Sequence, residues 1–321
     1  MESLNEEDVC DFLDFEENRI FVEFIDNLFN FNNLHSSEII AQLDLLSSTD
    51  EEQLDKSNCN DSLLKSNDLV VINHFPISES HCNLVINCDK NICQVLSNEL
   101  INQALEIFSY TKKDNLKLGY NSLGAGAIIN HLHFELFWTE NGSKLAIENA
   151  GLSEIIKTRL IAKSKDEEIN LFDPLTLLKI SKLSNYYMNG WLIQIKTDNK
   201  SDDNFLSGNP MESISYVSAL ITSMLIAREF PHNLIFTDSG TSCYIIPRKF
   251  NNKNLGVTTS WLDICGYPLI YDKSLLEKVE KDGIEVLENL FKSELCISND
   301  DLEMLSDDIK DEICSKYNLE N

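Results

Sequence analysis

The sequence predicts an α+β fold built on antiparallel sheets. Short apolar segments typical of buried strands are interspersed with longer segments that have the apolar stripe of a helix. The predicted strands and helices do not alternate regularly as they do in βαβ units, and the sequence contains no repeat of short period. Hydrophobic residues make up 43% of the 321 residues and charged residues 25%, a globular balance that is rich enough to bury a core.

The first half of the chain is predicted to hold four strands and one helix. Residues 69–72 and 83–86 have the composition of short buried strands around a turn at residues 76–80. Residues 97–108 predict a helix whose first residue, a serine, is the N-cap and whose apolar residues form one stripe. Residues 116–138 predict a strand, a glycine-containing loop and a second strand.

The second half mixes the same kinds of element. An Asp-Pro pair predicts the start of a helix over residues 173–183. The other predicted elements are a strand over residues 189–196, a surface loop over 196–210, a buried helix over 212–229, a hairpin over 232–248 that turns at Asp238, and a largely helical stretch over 273–316.

These patterns divide the chain into three sections. Residues 1–62 form an acidic N-terminal segment that we expect to be partly ordered, with a polar loop at residues 47–62. Residues 63–200 form an N-terminal domain, and residues 201–321 form a C-terminal domain with the hairpin and an acidic helical tail.

The net charge of −27 limits the partners of the protein. Proteins that coat duplex DNA or anionic lipid need dense Lys and Arg, so we expect neither nucleic acid nor membrane as a partner. The most apolar segment, residues 216–227, is too short to span a bilayer. A small anionic ligand is not excluded, because local dipoles can outweigh a distant field.

The cysteines indicate a reducing compartment. Their number, nine, is odd, they are scattered along the chain, and no CxxC pair occurs. We therefore expect reduced thiols in a cytoplasmic protein without structural zinc. The acidic N-terminus has no features of a targeting signal.

Two histidines and a carboxylate dominate the candidate chemistry. His131, His133 and Glu135 are spaced so that a strand points all three to one face, with apolar residues on the other. Just upstream, Gly124 and its neighbours form a loop that lets backbone N–H groups approach a phosphate closely.

Spacing alone leaves three interpretations of this pattern open. The two imidazoles could simply belong to a hydrated sheet face. They could carry nucleotidyl transfer, or they could combine with Glu135 into a two-histidine, one-carboxylate metal site. A Walker A phosphate-binding loop is absent from the sequence.

The segment GYNSLGAGAIINHLHFEL, residues 119–136, resembles the signature of the GDP-hexose phosphorylases. This family comprises the GDP-D-glucose and GDP-L-galactose phosphorylases of the histidine triad (HIT) superfamily. Three weaker matches follow the same order along the chain, at residues 73–86, 230–248 and 261–279. Four collinear matches make a chance similarity improbable.

The resemblance implies a ping-pong reaction centred on His133. This imidazole attacks the α-phosphorus of a GDP-hexose of the GDP-glucose type, and hexose 1-phosphate leaves. Inorganic phosphate then takes the guanylyl group from the histidine and gives GDP. His131 and Glu135 complete the implied catalytic set.

The resemblance also implies a phosphate-holding loop and a fold. The phosphate-binding residues are Asn121, Ser122, Gly124, Ala125 and Asn130. The implied fold has HIT-like antiparallel sheets flanked by helices, in two related halves as in galactose-1-phosphate uridylyltransferase-like proteins. The scheme requires no cofactor and no metal, and its partners are GDP-hexose and inorganic phosphate.

The chain departs from the family pattern at several positions. Glu135 stands where the family has Gln or His, and a carboxylate there repels a phosphate by roughly 1–4 kcal/mol at about 4 Å. It must be protonated or point away and brace His131, or the chain is a family member with impaired catalysis that binds nucleotide or a protein partner. Arg248 replaces a usual Gln, and we expect Arg248 and Lys117 to be ordinary surface residues.

Overall fold

One ten-stranded antiparallel sheet organises the protein, as seen in a computed structural model. The structure describes residues 20–25, 28–43, 67–73, 76–79, 81–111, 113–159, 176–197, 210–251 and 253–317. The α+β class with antiparallel pairing is therefore confirmed, although the described strands form a single sheet where we expected several.

Strands and helices alternate in groups along the chain. The strands are β1 (Ile39–Leu43), β2 (Asp68–Ile72), β3 (His81–Val85), β4 (Leu116–Asn121), β5 (His133–Trp138), β6 (Gly151–Arg159), β7 (Thr176–Ser184), β8 (Trp191–Thr197), β9 (His232–Thr237) and β10 (Ser242–Pro247). The α-helices are α1 (Asn98–Ser109), α2 (Pro210–Ala227), α3 (Trp261–Ile264), α4 (Lys273–Asp282), α5 (Glu285–Glu294) and α6 (Asn299–Tyr317).

The order of strands across the sheet repeats itself. It runs β1-β2-β3-β5-β4-β9-β10-β8-β7-β6. The first five strands have the spatial order 1-2-3-5-4 from one edge, and the last five have the order 6-7-8-10-9 from the other. In each set one long helix, α1 or α2, follows the third strand. The sets meet at the centre of the sheet, where β4 pairs with β9.

Helices cover both faces of the sheet. Residues of α1, α2 and α6 pack with the strands in one apolar cluster, and residues of α3 and α5 belong to a second. Along β5, Phe134 and Leu136 belong to the first cluster, whereas Phe137 belongs to the second. Because strand residues alternate between faces, His133 and Glu135 lie on the face that α3 covers.

Most of the predicted elements are confirmed. The helix predicted from residue 97 is α1, and Ser97 caps it by accepting a hydrogen bond from the Leu100 N–H at 3.3 Å. The hairpin is formed by β9 and β10 around Asp238–Gly240, and the last stretch forms three helices. Of the predicted loops, residues 47–62 and 198–209 lie outside the described residues. The three-section division of the chain stays a prediction.

One predicted helix is wrong. Residues 173–183 were expected to be helical, but β7 begins at Thr176, and β6 before it was not predicted at all. Leu178 and Ile180 are completely buried two residues apart, as a strand requires. β7 pairs with β6 on one side and β8 on the other, so pairing overrides the local signal of the Asp-Pro pair.

The helix α2 is long and apolar enough, by length and composition, to cross a membrane. Half of the apolar window is buried inside the protein, and the helix packs against α1 and β8. A core helix of a globular protein meets the same criterion, so this single helix is weak evidence for a membrane span.

The expectation that Lys117 lies on the surface is wrong. Its side chain is buried in β4 and its Nζ donates to Glu148 Oε1 at 3.0 Å. A buried lysine needs such a partner, because its charge loses hydration on burial.

Replacing Phe134 by Ala should destabilise the fold strongly. Phe134 is fully buried in β5, so the change leaves a cavity in the larger apolar cluster and should cost about 3–5 kcal/mol of unfolding free energy. Urea unfolding measures the loss. Tyr110→Ala, at a residue that is 66% exposed, is the matched control and should cost little. A loss at Phe134 as small as that of the control would contradict the assigned packing.

Candidate active site

A backbone carbonyl fixes the tautomer of His133. The residue begins β5, and its Nδ1 lies 2.8 Å from the carbonyl oxygen of His131. Because a carbonyl oxygen can only accept a hydrogen bond, Nδ1 carries the proton and Nε2 carries the lone pair. In the described part of the chain, no hydrogen bond involves Nε2 of His133. The ring therefore offers a nucleophilic nitrogen that makes no hydrogen bond to a described residue.

Burial keeps His133 neutral. Desolvation lowers its pKa below the usual 6.5, and the hydrogen bond to the His131 carbonyl and the charge of Glu135 offset only part of this effect. A neutral imidazole at neutral pH is the form that can attack an electrophile.

His131 contributes its carbonyl group and a buried ring. The residue precedes β5 and is completely buried. Its Nδ1 accepts a hydrogen bond from the Phe31 N–H at 3.1 Å. Desolvation, aided by His133, lowers its pKa to about 4, so the ring is neutral. Its Nε2 is buried and has no hydrogen-bond partner among the described residues.

Two aromatic residues of the N-terminal segment cover the histidines. The Phe24 ring lies 5.3 Å from the His131 ring in an edge-to-face arrangement. The Phe31 ring lies 5.6 Å from His131 and 5.2 Å from His133. As a result, His133 is only 6% exposed. This contact spans 100 residues of sequence and could not be inferred from the histidine motif.

Three N–H donors converge on the carboxylate of Glu135. Oε1 accepts from Asn121 Nδ2 at 3.0 Å, and Oε2 accepts from Trp261 Nε1 at 2.6 Å and His81 Nε2 at 3.3 Å. His81 Nδ1 accepts from the Ile77 N–H at 3.4 Å, and Asn73 Nδ2 lies 3.2 Å from the same Nε2 that faces Glu135. Glu135 therefore braces these three residues, not His131 as one sequence interpretation held.

These contacts keep Glu135 ionised. Burial alone raises its pKa, but the hydrogen bond and charge of His81, the charge of His133 and the hydrogen bond from Trp261 outweigh burial and lower the pKa below the usual value. The geometry therefore does not support the protonated carboxyl that the sequence left open.

The absence of a side chain at Gly119 makes room for Trp261. A Cβ atom at position 119 would lie 1.9 Å from the indole ring, which is closer than atoms can approach. Gly119 pairs with Glu135 between β4 and β5, so the indole N–H reaches the carboxylate across the backbone of β4. The glycine thus serves the packing of Trp261.

Gln94 joins β4 and β5 where their ladder ends. Its Nε2 donates to the carbonyl oxygens of Asn121 at 2.8 Å and His133 at 3.0 Å, and its Oε1 accepts from the His133 N–H at 2.9 Å. The side chain is almost completely buried. Sequence reasoning missed this residue, because a glutamine in a loop before α1 carries no spacing signal.

The predicted phosphate-binding loop is a closed turn. Asn121 and Ser122 are buried, and the Ser122 carbonyl accepts from the Ala125 N–H at 3.0 Å. Ser122 Oγ accepts from the His232 N–H at 2.8 Å. Gly124 has a positive φ of 75°, which favours glycine, and it is partly exposed. The loop groups named here therefore form bonds within the protein.

Asn130 connects the N-terminal segment to Gln94. Its Oδ1 accepts from the Gln94 N–H at 3.0 Å, and its Nδ2 donates to the carbonyls of Val22 and Glu23. The structure thus brings the eight candidate residues of the sequence into one region, and it places Asn130 at the edge, where it anchors the covering segment.

The described structure does not support a metal site at this position. Among the residues that the structure describes, no group of three His, Cys, Asp or Glu side chains could hold a metal ion. The carboxylate oxygens of Glu135 already accept N–H donors, and Nδ1 of each motif histidine is hydrogen-bonded. The metal-binding alternative thereby loses its geometric basis.

Comparison with curated proteins finds relatives that are named as phosphorylases of GDP-sugars. GDP-L-galactose phosphorylase 2 of Arabidopsis thaliana is 26% identical over 271 residues, which cover 81% of this chain and 54% of that protein. GDP-D-glucose phosphorylase 1 of Danio rerio is 26% identical over 135 residues, covering 40% of this chain and 34% of that protein. This chain spans about half the length of the Arabidopsis relative.

A solved structure with a similar arrangement is that of yeast Ap4A phosphorylase in complex with Ap4A. It matches with a TM-score of 0.46 and 14% sequence identity, over 70% of this chain and 72% of that chain. At this level of similarity the match carries no argument about substrate or mechanism.

Family models match nearly the whole chain. The model described as GDPGP1-like, N-terminal domain, matches residues 3–137, and the model described as GDPGP1-like, C-terminal domain, matches residues 162–316. The first match includes the two histidines and the loop before them, and the second includes Trp261. The chain therefore belongs to the GDPGP1-like family, among whose relatives are the GDP-hexose phosphorylases.

Proposed function

We propose that this protein is a nucleotidyltransferase that phosphorolyses a GDP-hexose of the GDP-glucose type. The observation that carries this proposal is the hydrogen bond from His133 Nδ1–H to the His131 carbonyl, which leaves a lone pair on Nε2 of a neutral ring. Family membership and the names of the curated relatives support the choice of a nucleotide-sugar substrate.

In the first half-reaction, Nε2 of His133 bonds to the α-phosphorus of GDP-hexose. The bond from the α-phosphorus to the bridging oxygen breaks, and hexose 1-phosphate leaves with that oxygen. In the second half-reaction, an oxygen of inorganic phosphate attacks the same phosphorus, the bond to Nε2 breaks, and GDP forms. Covalent catalysis divides one difficult displacement into two easier ones.

The surroundings of His133 suit the charge that this reaction creates. When Nε2 bonds to phosphorus, the ring keeps the proton on Nδ1 and becomes cationic. The His131 carbonyl accepts that proton's hydrogen bond, and the negative charge of Glu135 favours the cationic ring. In this scheme Glu135 acts on the imidazole and not on the phosphate, which accounts for a carboxylate at this position.

Access to Nε2 requires the covering segment to move. The Phe31 ring packs against His133, and only 6% of His133 is exposed. We propose that nucleotide binding displaces the segment around Phe31 and Phe24 from the two imidazoles. The Phe31 N–H bond to His131 would then break as the substrate enters.

The same burial favours a second candidate function. A family member with impaired catalysis could bind nucleotide or a protein partner while Phe31 stays on His133. The closed loop, in which Ser122 bonds only within the protein, is consistent with this alternative. Nucleotide binding without any turnover would identify it.

We also propose that the fold consists of two related halves of the HIT type, as in galactose-1-phosphate uridylyltransferase-like proteins. The repeated strand order, with a long helix after the third strand of each set, supports this relation. His133 begins the fifth strand of the first half, and the fifth strand of the second half contains no histidine. We propose a cytoplasmic location, since the seven described cysteines are free thiols.

Replacing His133 by Ala should abolish phosphorolysis. Loss of the nucleophile removes the covalent route, so GDP release from GDP-glucose and phosphate should fall by at least about 10³-fold. A panel with GDP-galactose and GDP-mannose identifies the sugar. His35→Ala, at an exposed histidine whose ring bonds to Ser37 among the described residues, is the matched control and should keep full activity. Wild-type turnover that survives the change at position 133 would refute the proposed nucleophile.

The rate of the first half-reaction should stay constant as pH falls to 6.5 and should decrease only below that pH. Since the pKa of His133 is lowered, the ring stays neutral and nucleophilic as pH falls through 6.5, and activity is lost only when pH reaches the lowered value. The measurement is the burst of hexose 1-phosphate without added phosphate, followed from pH 4.5 to pH 8. A midpoint at or above pH 6.5 would show that His133 is hydrated and not buried as described.

A further inference from the structure

Arg248 is a completely buried cation close to the candidate site. Its Nη1 donates to Asn233 Oδ1 at 3.0 Å, to the Ala125 carbonyl at 3.2 Å and to the Thr259 carbonyl. Nε and Nη2 are buried and have no hydrogen-bond partner among the described residues. The sequence expectation of a surface arginine is therefore wrong, and a charge at this depth needs compensation.

No ion pair of Arg248 occurs among the described residues, but a chain of hydrogen bonds leads from it to a carboxylate. Asn233 Oδ1 accepts from the guanidinium, and Asn233 Nδ2 donates to Asn121 Oδ1 at 2.7 Å. Asn121 Nδ2 then donates to Glu135 Oε1 at 3.0 Å. We call these four residues the amide relay. Each amide accepts on the side of the cation and donates on the side of the anion.

Backbone groups fix the direction of the amide relay. The Trp261 N–H donates to Asn121 Oδ1 at 2.8 Å, which places the oxygen of that amide. Asn233 Nδ2 donates to the Ala125 carbonyl at 2.7 Å, which places the nitrogen of the second amide. Neither amide can turn over without losing a backbone bond. Position 248 must therefore donate, and position 135 must accept.

We propose that Arg248 is a positioning residue that compensates the buried charge of Glu135 through the amide relay and thereby fixes Asn121 beside His133. Continuing the register of β4 and β5 by two residues places Asn121 opposite His133, and Gln94 bonds to the main chain of both. The relay thus sets the geometry of the strand ends that hold the nucleophile. This inference goes beyond the transfer reaction, although its kinetic test rests on the proposed function.

Other buried charges near the relay must be distinguished from Glu135. Asp263 acts electrostatically on Arg248 and partly offsets the burial that lowers the pKa of the arginine to about 10. Asp263 itself accepts from Thr258, Ser260 and the Leu269 N–H, and so has its own partners. His81 faces Glu135 from β3, with its Nε2 3.3 Å from Oε2, and when protonated it is the competing cation for Glu135. Asp263 is therefore the competing counter-charge for Arg248.

A double-variant cycle tests the relay. Glu135→Gln puts an amide against N–H donors and leaves the buried arginine without its distant partner. Arg248→Gln leaves the carboxylate uncompensated. Each change alone should lower the thermal unfolding midpoint. The drop in the double variant should be at least about 3 °C smaller than the sum of the two single drops. Losses that simply add would overturn the proposal, whether or not the protein turns over any substrate.

The cycle of Arg248→Gln with Asp263→Asn is the matched comparison. Coupling found with Asp263 and not with Glu135 would make Asp263 the sole counter-charge and would overturn the relay.

Kinetics separate positioning from mere folding. In variants that remain folded, kcat for phosphorolysis should fall about tenfold or more in each single variant, with KM changed less than about threefold, and kcat should partly recover in the double variant. Equal kcat in wild type and folded Arg248→Gln would also overturn the proposal.

Discussion

The site depends on one hydrogen bond, from the ring of His133 to the carbonyl of His131 two residues earlier. That bond selects the tautomer, and the tautomer decides which nitrogen can attack. The bond can form only because His131 stands just before β5, where the chain enters the strand and its carbonyl turns toward the ring. A hydrogen bond to a carbonyl oxygen needs no charged group. It therefore persists although burial keeps both imidazoles neutral.

Polar side chains hold the start of β5 in place beside the end of β4. β4 and β5 separate beyond the pair of Gly119 and Glu135, and Gln94 replaces the missing ladder bonds there. Glu135 accepts three N–H groups from three other segments, so one carboxylate joins β3, β4 and α3. A buried carboxylate is stable in this setting because each of its three described hydrogen-bond partners is a donor. Its charge then also favours a cationic His133.

The sequence predicted the centre of the site better than its surroundings. The spacing of His131, His133 and Glu135 placed these residues together, since neighbours on one segment need no tertiary information. Gln94 and Phe31 reach the same place from loops that carry no periodic signal, and Arg248 was expected in solvent. Similarly, the Asp-Pro pair suggested a helix where two-sided pairing of β7 makes a strand. Two of the departures from the family pattern, at positions 135 and 248, are the ends of one hydrogen-bonded chain.

The protonation of the His133 ring is the most direct test of this account. Two-dimensional NMR of protein labelled with ¹⁵N in histidine reports each ring nitrogen separately. At pH 7 we predict the shift of a protonated nitrogen for Nδ1 and that of an unprotonated nitrogen for Nε2, with His133→Gln used to assign the signals. A proton on Nε2, or a doubly protonated ring at this pH, would contradict the proposed nucleophile.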